Sequence, residues 1–200
     1  MRPAPLLLPL LFATALPGLA GAQALAPDVP RPAYLRVGVG RTEGAGTIYH
    51  SARAFVEYAP LLGRHWGWAG RLVGVAGAPT QGLESQMPHQ NYRAGYAEAE
   101  GRWYPWGNHR RVTMALGAGG FAGYYRHNGY DYFRGVSGRL VDYGLAAQQG
   151  VHAGLLGSVN AEVGLGAAQR WRAGLQILKQ TGLGGVTTFT SHSLTLAYRL

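Results

Sequence analysis

The chain ends in a strictly alternating segment. In Ser193-Leu194-Thr195-Leu196-Ala197-Tyr198-Arg199-Leu200 the even positions are large and apolar, and the odd ones are small or polar. A β-strand turns successive side chains to opposite faces, so this segment has one greasy and one wet side. At the end of an exported chain, such a strand is expected to close a transmembrane β-barrel.

The beginning of the chain supports export. Arg2 is followed by an apolar run from Leu6 to Leu19 and then by Ala20-Gly21-Ala22, a small-residue cleavage pattern. The run is broken by Pro9 and Pro17 and falls short of the roughly 20 residues a spanning helix needs, so residues 1–22 read as a cleaved signal peptide. Residues 23–32, with three prolines, read as a periplasmic lead-in, and 33–200 as one barrel domain. No later stretch approaches membrane-helix length. A membrane protein built from such a chain has to satisfy its backbone as a closed sheet.

Alternation can be followed along most of the chain. Tyr34 to Arg41 puts Leu35, Val37 and Val39 on one face and Arg36, Gly38 and Gly40 on the other. Ile48 to Tyr58 turns Ala52, Ala54, Val56 and Tyr58 outward, with Arg53 and Glu57 inward. Trp66 to Gly77 pairs Trp66 and Trp68 on one parity against Arg71 on the other. Tyr92 to Tyr104 gathers Glu98, Glu100 and Arg102 on one face, and a fifth strand carries Val112, Met114, Leu116 and Ala118 outward. Ala78 to Asn91, Arg126 to Gly138 and Arg172 to Thr187 read as long outer loops, alternating with compact turns; within the last, Ala173 to Gln180 has the alternative of continuing the preceding strand or forming one helical turn.

A hairpin is predicted between Val141–Leu155 and Val159–Trp171, turning at Leu156-Gly157-Ser158. This register sets Val151 against Val163, Ala153 against Ala161 and Tyr143 against Trp171 on the lipid face. Within, it sets His152 against Glu162, Gly150 against Gly164 and Asp142 against Arg172. With Thr188 to Leu200 as the last strand, the expected architecture is all-β, an eight-stranded antiparallel up-and-down transmembrane barrel.

Composition narrows the chemistry. There is no cysteine, so neither a disulfide nor a thiolate metal site is available. The formal charge is +9, and all but one of the 18 basic residues are arginine, whose planar fork suits phosphate. Lipopolysaccharide phosphate is therefore a reasonable partner. Nucleic acid is not, because the arginines are dispersed and the chain is exported.

The run Ala99-Glu100-Gly101-Arg102-Trp103-Tyr104-Pro105, the strands Leu116-Gly117-Ala118-Gly119-Gly120 and Glu162-Val163-Gly164-Leu165-Gly166, and the terminal alternation resemble small outer-membrane β-barrel proteins widespread in Bacteroidota. A fainter likeness is to TraO, the barrel component of conjugative transposons, through Tyr104 to Tyr124. The resemblance implies a monomeric outer-membrane barrel, placed by the outer-membrane assembly machinery and surrounded by outer-membrane lipid. The final residue departs from the pattern, since such barrels usually end in phenylalanine and this one ends in Leu200, with Tyr198 two before it.

Glu98, Glu100, Arg102, Asp142, His152, Glu162 and Arg172 are the candidate lumen ion-pair residues. In a narrow barrel, charges of this kind fill space and neutralise one another, so they read as structural rather than catalytic. Tyr130, Tyr132, Phe133 and Arg134 are the candidate loop contacts for a partner. A lipid A hydrolase would need an outward Ser and His. In His50-Ser51 and His192-Ser193 the neighbours point to opposite faces, which leaves only a distant pairing such as Ser51 with His192. No oriented nucleophile and base, two-His metal spacing or cofactor motif is evident, and the Gly117 to Gly123 run lacks the residues of a phosphate loop. The expected role is structural or surface-interacting, through the outer loops; a narrow solute pore is the competing non-enzymatic reading.

Overall fold

The computed structural model describes residues 32–44, 49–79, 91–183 and 189–200. The strands are β1 (Ala33–Gly44), β2 (Tyr49–Pro60), β3 (Trp66–Pro79), β4 (Asn91–Trp103), β5 (Val112–Val136), β6 (Arg139–Leu165), β7 (Trp171–Gly182) and β8 (Phe189–Arg199). Each pairs antiparallel with its sequence neighbours, and β1 pairs with β8, so the sheet closes into a barrel. Six strands have 11 to 14 residues, enough to cross hydrocarbon at the usual tilt, where about 9–11 suffice.

The barrel is inside-out relative to a water-soluble one. Outward positions carry Leu35, Val37, Val39, Val56, Leu72, Val112, Val151, Leu155, Leu175, Ile177, Leu194 and Leu196, all exposed. Inward positions carry Arg36, Arg53, Glu57, Arg71, Glu98, Glu100, Arg102 and Glu162, all buried. In water this arrangement would waste the apolar surface and dehydrate the charges, whereas lipid outside and ion pairing inside satisfy both. At the short-turn end Trp66, Trp68, Trp103, Trp106 and Trp171 are all exposed, with Tyr58 edge-on to Trp68 and Tyr198 against Trp171. They form an aromatic belt at one interface.

The predicted hairpin at Gly157 is not present. Leu156, Gly157 and Ser158 lie inside β6, which runs unbroken from Arg139 to Leu165, and the turn follows at 166–170. His152 and Glu162 therefore sit on one strand rather than opposite each other. Trp171–Gly182 is strand β7, with Leu165 opposite Trp171 and Val159 opposite Ile177, so Arg172 to Gly182 is not the start of a loop, and Ala173 to Gln180 is strand, paired back on β6 rather than continuing it. Arg126 to Gly138 is likewise strand rather than loop, except for its end, where Ser137 (φ 51°) and Gly138 (φ 76°) make a two-residue turn. Two successive positive φ values define the primed turn whose twist matches a hairpin.

As a result β5 and β6, with 25 and 27 residues, extend past their neighbours as a two-stranded ribbon. Pairing of β5 with β4 ends at Asn128, and pairing of β6 with β7 ends at Gly154. Asp142 lies on this ribbon, exposed and opposite Arg134; it is not a lumen residue, and Arg172 is not its partner. The β5 arm reads as loop because its alternation fades where both faces meet water, whereas the β6 arm from Val141 onward is strand as expected. The expected signal peptide and most of the expected lead-in lie outside the described residues, as does most of the Ala78 to Asn91 segment.

Candidate functional site: the charged lumen and the outer ribbon

The lumen charges follow from the register. Arg36 stands opposite Glu57, Glu57 opposite Arg71, and Arg71 opposite Glu98, so neighbouring strands β1 to β4 present alternating signs at one level. Opposite charges placed directly across a pair of strands attract. Arg71 joins Glu57 through Nε at 2.9 Å and Glu98 through Nη1 at 2.9 Å, and also pairs with Glu100. Arg102 pairs with Glu100 at 2.7 Å and holds Glu57 in a two-pronged contact at 2.8 and 2.5 Å. Arg53 reaches both oxygens of Glu98 at 2.9 Å, and Arg36 pairs with both Glu57 and Glu162.

Four guanidiniums and four carboxylates thus balance within this buried layer. Contacts cross the lumen as well as follow its wall. Gln180 on β7 donates to Glu98 on β4 at 3.0 Å, and Ser158 on β6 donates to Glu100 at 2.8 Å. Gln176 donates to Asn160 at 2.7 Å, and Asn160 to Ser158 at 3.0 Å. Each charged side chain of the layer has an opposite charge against it, which lowers the cost of burying it, although Arg36 Nε and Arg53 Nε and Nη1 have no hydrogen-bond partner among the described residues.

Toward the ribbon two apolar clusters join the interior, while Thr42, Ser51 and Ser191 keep the β1, β2 and β8 wall polar at that end. Phe55, Val73, Val75 and Tyr96 form one buried cluster, and Phe121, Leu156 and Leu178 another. His152 sits here rather than in the ionic layer, its ring centroid 4.8 Å from Tyr96, 5.4 Å from Phe121 and 5.2 Å from Tyr125. At the opposite end Arg172 donates to Thr113 Oγ1 at 2.7 Å and to the carbonyls of Asn108 and Arg110 at 3.1 Å, with its guanidinium over the Tyr34 ring.

Of the sequence candidates, the fold brings Glu98, Glu100, Arg102 and Glu162 into one network. His152 and Arg172 lie inside the barrel but outside that network, and Asp142 lies outside the lumen. Sequence reading turned Arg53 and Glu57 inward and set Arg36 and Arg71 opposite the apolar face of their strands, without joining any of the four to the cluster. The signal that could have found them was the strand register, since these four become neighbours only once β1 to β3 are aligned.

The network is a poor place for proton transfer. The hydroxyl of Ser158 donates to Glu100, but both are buried in the lumen and Glu100 is also held by Arg71 and Arg102, so the pair is not presented to a substrate. Ser51 and Ser193 are buried on the inward face, while His192 is exposed on the outward face, so Ser51 and His192 cannot form a dyad. The Gly117 to Gly123 run lies within β5 and opens no helix. Among the described residues no group of three or more His, Asp or Glu is placed to share a metal ion.

The ribbon contains the second candidate set. Tyr132 is 55% exposed, Arg134 is exposed beside Asp142, and Tyr130 and Phe133 belong to the same stretch of β5. These positions stand on a hydrogen-bonded strand rather than on an irregular loop.

No protein-family model matches the chain, and no curated protein does. Solved structures do resemble it in fold. Ail, the attachment invasion locus protein of Yersinia pestis, superposes with a TM-score of 0.54 at 10% identity, covering 85% of this chain and 99% of that one. Its complex with the heparin analogue sucrose octasulfate gives 0.53 at the same identity and coverage. The outer membrane protein OprG from Pseudomonas aeruginosa gives 0.52 at 10% identity, covering 85% of this chain and 96% of that one. At such identity the likeness establishes the architecture, a closed eight-stranded barrel of the kind found in outer membranes.

Proposed function

We propose that this chain is a monomeric outer-membrane barrel, exported with a signal peptide cleaved after Ala22, whose lumen is closed to solutes and whose β5–β6 ribbon meets partners outside the cell. The observation that carries the reading is the ribbon itself. It extends strands of 25 and 27 residues beyond a barrel whose other strands have 11 to 14, and it bears Tyr130, Tyr132, Phe133 and Arg134. Aromatic and arginine side chains on a hydrogen-bonded support give contact area with little ordering cost. The fold likeness to Ail, whose solved forms include a complex with a heparin analogue, supports a surface-binding role over a transport role. Insertion by the outer-membrane assembly machinery, and kinship with the Bacteroidota barrels, rest on the terminal strand and the quoted motifs.

Cells displaying the barrel should adhere to a heparin-coated surface. A variant in which residues 130–145 are replaced by a short turn should adhere less, with unchanged amounts of folded barrel. Equal adhesion by the two would sink the ribbon reading. For the lumen, the purified barrel in a planar bilayer should show no steady conductance, because side chains from β4, β6 and β7 meet across the interior and an aromatic layer lies above them. A stable open level would instead support the pore.

A further inference from the structure

On the outward face, just beyond the apolar belt, Arg93 of β4 stands directly opposite Arg126 of β5. Both are exposed. The register gives Arg93 only Ala76 on its other side and Arg126 only Gln149, so no carboxylate lies across from either. Like charges placed directly opposite in a sheet repel. Of the described carboxylates, four glutamates are committed to the lumen, Glu43 is beside Arg41, Asp142 faces Arg134 on the ribbon, and Asp131, exposed further along β5, pairs with neither arginine. Among the described residues, then, none supplies Arg93 or Arg126 with an ion pair.

The surroundings indicate what would relieve the repulsion. Next outward on the same face is the pair Asn91 and Asn128, and next inward is Tyr124 opposite Gly95, followed by Ala97 opposite Ala122. Tyr124 is 49% exposed, and its neighbour on β6, Val151, is 80% exposed. Two guanidinium forks with β-carbons about 4.5–5.5 Å apart can share one phosphate, each contributing paired N–H donors. An apolar wall begins one residue pair below, where acyl chains would lie.

We propose that Arg93 and Arg126 form a clamp for the phosphate of an outer-leaflet phosphoglycolipid of the lipid A type, whose acyl chains run down the β4–β6 wall. This rests on the reading that the ribbon end of the barrel faces outward. A free phosphate would use the same guanidiniums but gain nothing from the wall. The lipid, bearing phosphate and chains on one molecule, matches both parts of the surface.

The test uses the refolded barrel in detergent micelles, with native mass spectrometry reporting retained lipid. Bisphosphorylated lipid A should bind, and the double variant Arg93→Gln with Arg126→Gln should bind at least about tenfold more weakly, the equivalent of losing one charge-assisted bond or more. Arg93→Lys with Arg126→Lys should retain an intermediate affinity, and heat-modifiable gel mobility should show all three barrels folded. Equal binding of dephosphorylated lipid A, or an unaffected Gln variant, would overturn the clamp. Inorganic phosphate at millimolar concentration should fail to displace the lipid; displacement would overturn the lipid assignment. Protease treatment of intact cells separates this proposal from the reading beneath it. Cleavage within residues 130–145 places the ribbon outside, whereas protection there defeats the orientation whatever the micelle experiment shows.

Discussion

Glu57→Gln should destabilise the barrel by about 3–5 kcal/mol, the cost of removing one partner from a buried ion pair. Glu57 is fully buried and faces Arg36, Arg71 and Arg102 at once. The amide keeps the size of the side chain but deletes its charge, so the layer goes from four cations and four anions to an excess of one cation in a space that excludes water. Urea titration of the barrel in lipid vesicles, followed by heat-modifiable gel mobility, measures the loss. Glu43→Gln is the comparison. Its pair with Arg41 spans 3.9 Å with both side chains more than half exposed, and its removal should cost no more than an exposed pair does, up to about 1 kcal/mol.

A second substitution distinguishes charge imbalance from lost packing. In the Glu57→Gln background, Arg102→Met removes the excess cation, so it should cost less than the same change in the wild-type barrel. Additive losses would mean that the arginines are held mainly by shape. The network would then not be the electrostatic unit described above.

The assignment of residues to faces was largely legible in the sequence, and the assignment of turns only in part: the compact turns at 59–65 and 105–109 fall at the observed β2–β3 and β4–β5 connections, whereas the one at 156–158 falls inside a strand. Alternation turned Arg53, Glu57, Glu98, Glu100, Arg102 and Glu162 inward and set Arg36 and Arg71 opposite the apolar face of their strands, and all eight are buried. The same regularity produced the false hairpin at Gly157. Reflecting an alternating segment about one of its own residues pairs like parity with like, so Val151 with Val163 and Ala153 with Ala161 look well matched whether the chain turns or runs straight. In β6 it runs straight, and those residues share the lipid face of one strand. The strand count nevertheless came out right, because dividing β6 into two offset the omission of β7. That segment read as loop, with strand only an alternative for Ala173 to Gln180, because Leu178 points inward and Lys179 outward, against the greasy-outside rule.

The β5 arm of the ribbon escaped sequence reading for a different reason: beyond the membrane no face needs to be apolar, and Asn128, Gly129, Asp131 and Gly135 interrupt its alternation as they would a loop. The Arg93–Arg126 juxtaposition was equally hidden. Neither residue is unusual in sequence, and only the β4–β5 register brings them opposite each other.

Gly119→Val should prevent closure of the barrel or destabilise it beyond the ~1–3 kcal/mol typical of overpacking, whereas Gly74→Val should change stability by no more than about 0.5 kcal/mol. Both glycines lie within strands and neither has a positive φ, so backbone freedom does not separate them. Space does. A β-carbon at Gly119 would lie 1.9 Å from the Ala99 carbonyl oxygen and 2.6 Å from Glu100 Cα, and backbone cannot move aside as a flexible side chain can. At Gly74, on the lipid face, nothing lies within 4 Å. Two residues before Gly119, a β-carbon at Gly117 would meet Ser158 Oγ at 2.4 Å and the Glu100 carboxylate at 2.8 Å. The inward glycines of β5 thus leave the volume that the charged layer fills. If refolding yields of the two variants prove equal, the abundance of glycine reflects composition alone; if only Gly119→Val fails, close approach of β4 and β5 is what makes room for four arginines in so narrow a barrel.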